Sequence, residues 1–226
     1  LYEPAGAVYE SALRWIADNQ LDAVICFNGR MDLPRAVTYA CEQAGIPYIT
    51  HERTWFGHGI HLVPNGNCLS VKALEEMAAA FDARPLLRHQ ARLAGKLAAE
   101  RFLQRNIFDW RIYNKNPDAA PWPLDAPGLR VLVLPSSKNE VHGHGEWQSG
   151  WRDSTQALDD FLAAFRIDAG QVVLRCHPNW AENIGPNRGE RAALSYKNWA
   201  HQRGVHCISS EQKANTLDLI QQADIV

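Results

Sequence analysis

The residues of this chain best suited to chemistry stand directly after short apolar runs. In the clearest case, the apolar residues 172–174 lead into Arg175, His177, Pro178 and Asn179. Such a run predicts a short buried strand of a parallel sheet. Pro178 ends the strand because proline has no backbone N–H to donate. His177 is therefore expected at the carboxyl edge of the sheet, where α/β proteins bind ligands. A histidine that only caps a carbonyl is the structural alternative.

A turn of similar character follows the apolar run 21–27, where Asn28, Gly29 and Arg30 stand in sequence. Arginine suits a carboxylate or phosphate group because its planar guanidinium can bond two oxygens at once. The alternative is an ordinary turn with a solvated arginine.

Three ionisable residues, His51, Glu52 and Arg53, follow the predicted strand 46–50. We expect them to face one crevice beyond the strand end, where Glu52 could orient a sugar hydroxyl or act as a base. A structural ion pair between Glu52 and Arg53 is the competing interpretation.

In the second half of the chain, Ser136, Ser137 and Glu140 follow the predicted strand 130–134. Small hydroxyl side chains allow a ligand to approach closely, and a carboxylate there could serve as nucleophile or base. Glu140 could also be a surface residue beside Lys138.

The histidine-rich segments raise the question of a metal. His142 and His144, like His58 and His61, have spacing that zinc could use. No third ligand has convincing spacing, and we predict no metal site. The chain also has no glycine-rich phosphate loop and no Gly-x-Ser-x-Gly motif, which argues against dinucleotide dehydrogenases, P-loop enzymes and hydrolases of that type.

Composition fits a globular protein, with 46% hydrophobic and 21% charged residues among 226. The net charge of −2 gives no reason to expect a nucleic-acid partner. Five cysteines without metal-like pairing indicate reduced thiols of a cytoplasmic protein. No apolar run is long enough to span a bilayer.

Apolar periodicity and the positions of glycine and proline predict an α/β fold with two Rossmann-like lobes facing a cleft. The first lobe with a helical extension covers 1–112, a proline-rich linker covers 113–128, and the second lobe covers 129–226. The second lobe is expected to be incomplete, because 224–226 reads as a strand start. Strands are predicted at 21–27, 46–50, 130–134, 172–174 and 205–208, and helices at 5–19, 33–44, 70–106 with a break near Pro85, 154–165, 190–202 and 216–222.

Taken in order, these motifs resemble bacterial glycosyltransferases of the GT-B architecture, in particular the capsule polysaccharide biosynthesis and β-Kdo transferase group. The resemblance is carried by several short motifs spread over most of the chain: Phe27-Asn28-Gly29-Arg30, His51-Glu52-Arg53, Ser136-Ser137-x-x-Glu140 with Trp147, His177-Pro178, and the segment from Asn215 to Asp224.

The resemblance implies transfer of Kdo, or a related acidic sugar, from its CMP-activated form to a surface-polysaccharide or glycolipid acceptor. It implies no cofactor beyond the donor, no metal, and a place in the cytoplasm or at the inner face of the cytoplasmic membrane. Relatives that use CMP-sugars contact the nucleotide phosphate with a His-Pro pair, which His177 and Pro178 match. The remaining expected roles are: donor binding by Ser136, Ser137, Arg175 and Asn179; binding of the acceptor or sugar carboxylate by Asn28, Gly29, Arg30, His51 and Arg53; catalysis by Glu140 at the donor carbon, with Glu52 as base or acceptor ligand.

Two alternatives stay open. The same fold could bind a nucleotide or glycan without catalysis, since fold does not fix function. A zinc-dependent hydrolase built on the histidine-rich loops would instead lose its activity to chelators.

Overall fold

The computed structural model describes residues 3–54, 59–82, 84–103, 105, 117–136, 149–181 and 188–226. Within these ranges the chain has seven α-helices and two sheets of three strands each, which confirms the mixed α/β class. The chain divides into two compact units, Leu1–Trp110 and Arg111–Val226.

The first unit contains the helices α1 (Glu3–Asp18), α2 (Asp32–Ala44), α3 (Val71–Asp82) and α4 (Arg88–Phe102), and the strands β1 (Val24–Phe27), β2 (Tyr48–Arg53) and β3 (Ile60–Pro64). The second unit contains the strands β4 (Val131–Val133), β5 (Val172–Arg175) and β6 (His206–Ile208), the helices α5 (Ser154–Phe165), α6 (Arg188–Arg203) and α7 (Thr216–Gln222), and 3₁₀ turns at Ala169–Gln171 and Pro178–Ala181.

In the first sheet, β1 and β2 are parallel and joined through α2, as the strand-helix-strand pattern predicts. The third strand differs from expectation, because β3 lies in the segment between residues 50 and 70, where the sequence predicts neither strand nor helix. It pairs with β2 in the antiparallel direction. The alternation of apolar and polar residues in β3 is short and stands among histidines and glycines, so the period-two pattern typical of a strand is weak.

Helices α1 and α2 cover one face of this sheet and form its core. Helix α2 ends at Gly45, whose left-handed φ of 69° suits glycine at a helix C-terminus. The other face of the sheet carries exposed apolar side chains from both edge strands. The core residues are Ala12, Ile16, Val24, Ala40, Cys41 and Tyr48, and the exposed residues are Ile25, Phe27, Ile60 and Leu62.

The second sheet is parallel throughout, with β5 between β4 and β6. All four residues of β5 are buried, as a continuous apolar run in a parallel sheet predicts. Next to β4, Ile225 forms a parallel bridge with Val131. The strand start predicted at 224–226 therefore extends the sheet on that side. Helix α6 packs Tyr196 and Trp199 into the core of this unit.

The predicted linker, 113–128, is described from residue 117, and from there it is packed onto the second unit. Asp118 forms a parallel bridge with Ala214. The backbone N–H of Ala120 donates to the Asp218 carboxylate at 3.1 Å, and that of Trp122 donates to the Gln222 side-chain oxygen at 2.9 Å. Helix α7 therefore holds this stretch in place.

Helix α5 begins where predicted, and its N-cap is Asp153. The Asp153 carboxylate accepts hydrogen bonds from the backbone N–H groups of Thr155 and Gln156, each at 3.1 Å. Aspartate is among the preferred N-cap residues, and its side chain satisfies two otherwise unpaired donors. None of the helices in the described ranges is long and apolar enough to cross a membrane.

Candidate functional site

At the carboxyl edge of the first sheet, a buried asparagine holds a carboxylate. The Asn28 Nδ2 donates to Glu52 Oε2 at 2.8 Å, and the backbone N–H of Arg53 donates to Glu52 Oε1 at 3.1 Å. Asn28 has a left-handed φ of 63°, which asparagine tolerates better than most residues. Both oxygens of Glu52 thus have a donor, and the side chain is fixed in orientation.

The backbone of this turn lies close against its neighbours. The N–H of Asn28 donates to the His51 carbonyl at 2.8 Å, and its own carbonyl accepts from Cys68 N–H at 3.0 Å. Gly29 has a φ of 74°, and a Cβ at that position would collide with Thr50 Cγ2. Glycine is needed here for both reasons, because a side chain would be strained and would push the turn away from β2.

Arg30 is half-buried beside this turn, and its backbone N–H donates to Asn28 Oδ1 at 3.0 Å. Its Nε is buried and has no hydrogen-bond partner among the described residues. The terminal Nη2 lies 3.9 Å from the Met31 sulfur, which is a weak acceptor. A buried donor without a partner is costly, and a bound carboxylate or phosphate would satisfy it.

His61 also lies at this edge, whereas its spacing in the sequence suggested only a metal ligand. The β2–β3 register places it directly opposite Glu52, so both side chains lie on one face of the sheet. Its Nε2 is buried and lacks a partner within the described ranges. The period-two alternation of residues 60–64 was the signal that could have placed it there.

The prediction that His51, Glu52 and Arg53 face one crevice is wrong. All three belong to β2, and successive side chains of a strand point to opposite faces. His51 and Arg53 therefore lie on the face opposite Glu52. The His51 ring contacts Phe27 edge-on, with 5.8 Å between ring centroids.

The second unit presents a different polar edge, formed by the carboxyl ends of its three parallel strands. Ser136 is exposed after β4, and His177 and Pro178 are half-buried after β5. Pro178 begins a 3₁₀ turn, in which Trp180 N–H donates to the His177 carbonyl at 3.0 Å. The chain therefore turns immediately after the strand, as the proline predicts.

Aromatic rings pack against one another beside this edge. The rings of His177 and Trp180 have centroids 6.3 Å apart. Trp180 in turn stacks on Tyr196 at 5.5 Å with an interplanar angle of 10°. The Tyr196 hydroxyl donates to the Ser136 carbonyl at 3.5 Å. These contacts connect the ends of β4 and β5 through one side chain of α6.

Arg175, for which the resemblance implies donor binding, is instead buried in the interior of the second unit. It is 1% exposed, and burial lowers the pKa of its guanidinium. Both terminal nitrogens donate hydrogen bonds to backbone carbonyl groups. These bonds hold the loop after β6, so Arg175 has a structural role in place of the expected contact with the CMP-sugar. Its acceptors are Cys176 at 3.1 Å and Ser209 at 2.5 Å from Nη1, and Gln212 at 3.1 Å and Ala214 at 3.5 Å from Nη2.

The loop that Arg175 holds also contributes polar groups. The Ser210 Oγ is buried and has no partner in the described part of the chain. Glu211 forms an ion pair with Lys197 at 3.2 Å. A hydrogen bond from Ser209, together with the Glu211 backbone and Lys197, lowers the pKa of Glu211 to about 2.

Several predicted residues lie outside the described ranges: Ser137, Glu140, Trp147, and the histidines His58, His142 and His144. For Asn179 the description covers the backbone only. Where side chains are described, no three or more histidine, cysteine or acidic residues come together as metal ligands would.

Comparison with known proteins returned no matching protein family, no matching curated protein and no matching solved structure.

Proposed function

We propose that this protein is a glycosyltransferase that moves an acidic, Kdo-like sugar from a CMP-activated donor to a surface-polysaccharide acceptor, with its two units in a GT-B arrangement. The observation that carries the proposal is the first polar edge. There, Asn28 binds both the carboxylate of Glu52 and the backbone N–H of Arg30, and the buried Nε of Arg30 has no partner among the described residues.

The environment of Arg30 favours a substrate that carries a negative charge. Its buried Nε has no partner among the described residues, and a guanidinium binds a carboxylate through two parallel hydrogen bonds. A sugar acid or an acidic glycan supplies that group. Asn28 positions the backbone of Arg30 through its side-chain oxygen, so the arginine and the carboxylate of Glu52 are oriented by one asparagine.

Glu52 is the proposed base or ligand for the acceptor hydroxyl. In the transfer step, the acceptor oxygen bonds to the anomeric carbon as the bond from that carbon to the phosphate oxygen breaks. CMP leaves with the bonding electrons, and the acceptor proton passes to Glu52. A carboxylate held by two N–H donors is already oriented for this transfer, which lowers the entropic part of the barrier.

His177 is the proposed contact for the donor phosphate. It stands half-buried at the end of a buried parallel strand, where α/β proteins bind nucleotides. A protonated imidazole donates a charge-assisted hydrogen bond to a phosphate oxygen and stabilises the leaving CMP. Ser136, exposed on the neighbouring strand end, is the proposed hydroxyl partner on the same edge.

Calorimetric titration of CMP tests the donor assignment. We expect His177→Ala to weaken CMP binding about tenfold, the effect of one lost hydrogen bond to a charged group. His206→Ala is the matched control, because His206 is exposed at the opposite, amino end of β6. Equal CMP affinity in wild type and His177→Ala would contradict the assignment.

CMP release from CMP-Kdo in the presence of acceptor glycan tests the first edge. Arg30→Lys keeps the charge but loses the planar fork, and we expect CMP release to fall at least about tenfold with CMP affinity unchanged. Arg14→Lys, on an exposed position of α1, should behave as wild type. Binding of CMP without any release would favour a non-catalytic nucleotide-binding protein.

Glu140 stays the proposed carboxylate at the donor carbon. Glu140→Gln keeps the shape and removes the charge, and we expect turnover to fall about a hundredfold with little change in CMP affinity. Near-normal turnover would transfer that role to another carboxylate, with Glu52→Gln the next variant to measure.

A further inference from the structure

Two cysteines of the second unit lie side by side near the carboxyl ends of neighbouring strands. Cys176 follows β5 directly, Cys207 lies in β6, and their sulfur atoms are 3.8 Å apart. The register pairs Leu174 with Cys207, so Cys176 lies two residues further along β5 on the same face. Both are free thiols. A disulfide has its sulfurs about 2.05 Å apart. Because the two residues are diagonal neighbours in the register, closing the bond needs a shift of the backbone after β5 together with side-chain rotation.

The surroundings of the pair make one sulfur the nucleophile. Cys176 is fully buried, whereas Cys207 is half-buried. A hydrogen bond from Cys176, with the positive charges of Lys197 and Arg175, lowers the pKa of Cys207 to about 7 against the opposing effects of burial and Glu211. The hydrogen bond to Cys207 and burial raise the pKa of Cys176. The more solvated sulfur thus carries the charge, and the thiolate is the reactive form of cysteine.

The three cysteines of the first unit provide the contrast. Burial raises the pKa of Cys26, Cys41 and Cys68, so they are protonated at neutral pH and react slowly. Reactivity is therefore expected at the pair and not at these three.

We propose that Cys176 and Cys207 form an oxidation site, which a hydroperoxide converts to an intramolecular disulfide. The Cys207 thiolate attacks one peroxide oxygen, the O–O bond breaks, and the leaving oxygen takes up a proton to form water or an alcohol. Cys207 is then a sulfenic acid. The Cys176 sulfur attacks it, the S–O bond breaks, and the hydroxyl leaves as water with the Cys176 proton. Two thiols and one hydrogen peroxide give one disulfide and two waters.

The disulfide would tie β5 to β6 next to the turn at His177 and the loop that begins at Ser209. Both segments start within two residues of a bridged sulfur, so oxidation alters the polar edge of this unit. The chemistry of the pair is independent of the proposed transferase activity, because it depends only on the two thiols and their charged neighbours.

Mass spectrometry of the full chain tests the site without any substitution. The protein is treated with a small excess of hydrogen peroxide at neutral pH, unfolded in urea so that every remaining thiol is accessible, alkylated with iodoacetamide and digested with trypsin. We expect two of the five thiols to escape alkylation, and peptides 176–188 and 204–213 to be recovered as one cross-linked species that dithiothreitol separates. Five alkylated thiols, or a cross-link between other cysteines, would overturn the proposal.

Variants assign the two roles. In Cys176→Ser, peroxide should leave a sulfenic acid on Cys207 that dimedone labels, because the second thiol is missing. In Cys207→Ser, neither cross-link nor dimedone label should form. Cys26→Ser is the matched control, since Cys26 is half-buried like Cys207, and it should give the wild-type cross-link. Dimedone labelling of Cys176 in place of Cys207 would overturn the assignment of the nucleophile.

Discussion

Arg30 and Arg175 both stand at the ends of apolar strands in their respective units, but their side chains have different environments. Arg30 lies three residues beyond β1, half-buried, with an Nε that has no partner among the described residues. Arg175 is the last residue of β5, 1% exposed, and donates to four carbonyl groups. The Nε of Arg175 is also buried without a partner in the described part of the chain, so the difference lies in the terminal nitrogens. Those of Arg175 are bound to backbone carbonyl groups and support the fold, whereas Nη2 of Arg30 has only the weak acceptor of the Met31 sulfur.

The largest difference between the two arginines should appear in stability. Arg175→Met leaves buried carbonyl groups without donors, and we expect the free energy of unfolding to fall by about 3 kcal/mol. Arg30→Met should change it by less than about 0.5 kcal/mol, because no strong hydrogen bond is lost. Urea unfolding followed by tryptophan fluorescence measures both. An equal loss of unfolding free energy in the two variants would show that the two arginines do not differ in their structural role.

The cysteines extend the comparison between the units to reactivity. Iodoacetamide should modify Cys207 with a rate that reaches half its maximum near pH 7, whereas Cys26, with its raised pKa, needs a higher pH. At pH 7 we expect Cys207 to react about tenfold faster, since only the thiolate attacks. Peptide mapping over a pH series provides the rates, and urea-unfolded protein is the control in which the two should react alike.

A third comparison separates steric crowding from backbone strain at two glycines of the first unit. Gly29 has a φ of 74°, and a Cβ added there would collide with Thr50. Gly45 has a similar φ of 69°, but a Cβ added there would meet no neighbouring side chain or loop within 4 Å. Gly45→Ala should cost about 1 kcal/mol from backbone strain alone, and Gly29→Ala about 2 kcal/mol because of the added collision. Thermal or urea unfolding checks the order. Equal costs would show that Thr50 moves aside easily.

The smallest expected effect comes from a surface ion pair of the second unit. Arg203 bonds both oxygens of Asp159, at 2.9 and 2.8 Å. This contact, with the Trp199 N–H, lowers the pKa of Asp159. A carboxyl with a lowered folded-state pKa stabilises the fold above its unfolded pKa of about 4, and the contribution disappears as pH falls through the folded value.

Asp159→Asn should therefore cost less than about 1 kcal/mol at neutral pH, since exposed pairs contribute little. The difference from wild type should vanish at pH values below the folded pKa. Asp125→Asn, at an exposed position, is the control for the loss of one surface carboxylate. A constant difference across the pH range would mean that the charge of Asp159 is not the cause.

Local sequence signals predicted most of the elements and part of the candidate site. The uninterrupted run before His177, closed by Pro178, predicted β5 and the turn after it. The strand β3 and the placement of His61 were missed because a short alternation stood among histidines and glycines. His51 and Arg53 were placed wrongly because β2 continues through them, and successive side chains of a strand alternate between the two faces of the sheet.

The interior position of Arg175 could not be read from its neighbours in sequence. Three of its four acceptors, at Ser209, Gln212 and Ala214, lie more than thirty residues further along the chain. The pattern of a strand gives its boundaries and faces, but it does not show which distant loop brings carbonyl groups to a side chain. The pairing of Cys176 with Cys207 was missed for the same reason.

The attachment of residues 117–124 to helix α7 determines at which residue a fragment containing only the second unit should begin. Ala120 is buried with Leu132 and Leu219, and Trp122 and Leu124 pack against that cluster. Gln222 also donates to the Ala120 carbonyl at 2.9 Å. A fragment that starts at residue 129 would expose this cluster to water, and it should be poorly soluble and sensitive to proteases. One that starts before Asp118 keeps the cluster covered, and is the version to express for work on the second unit alone.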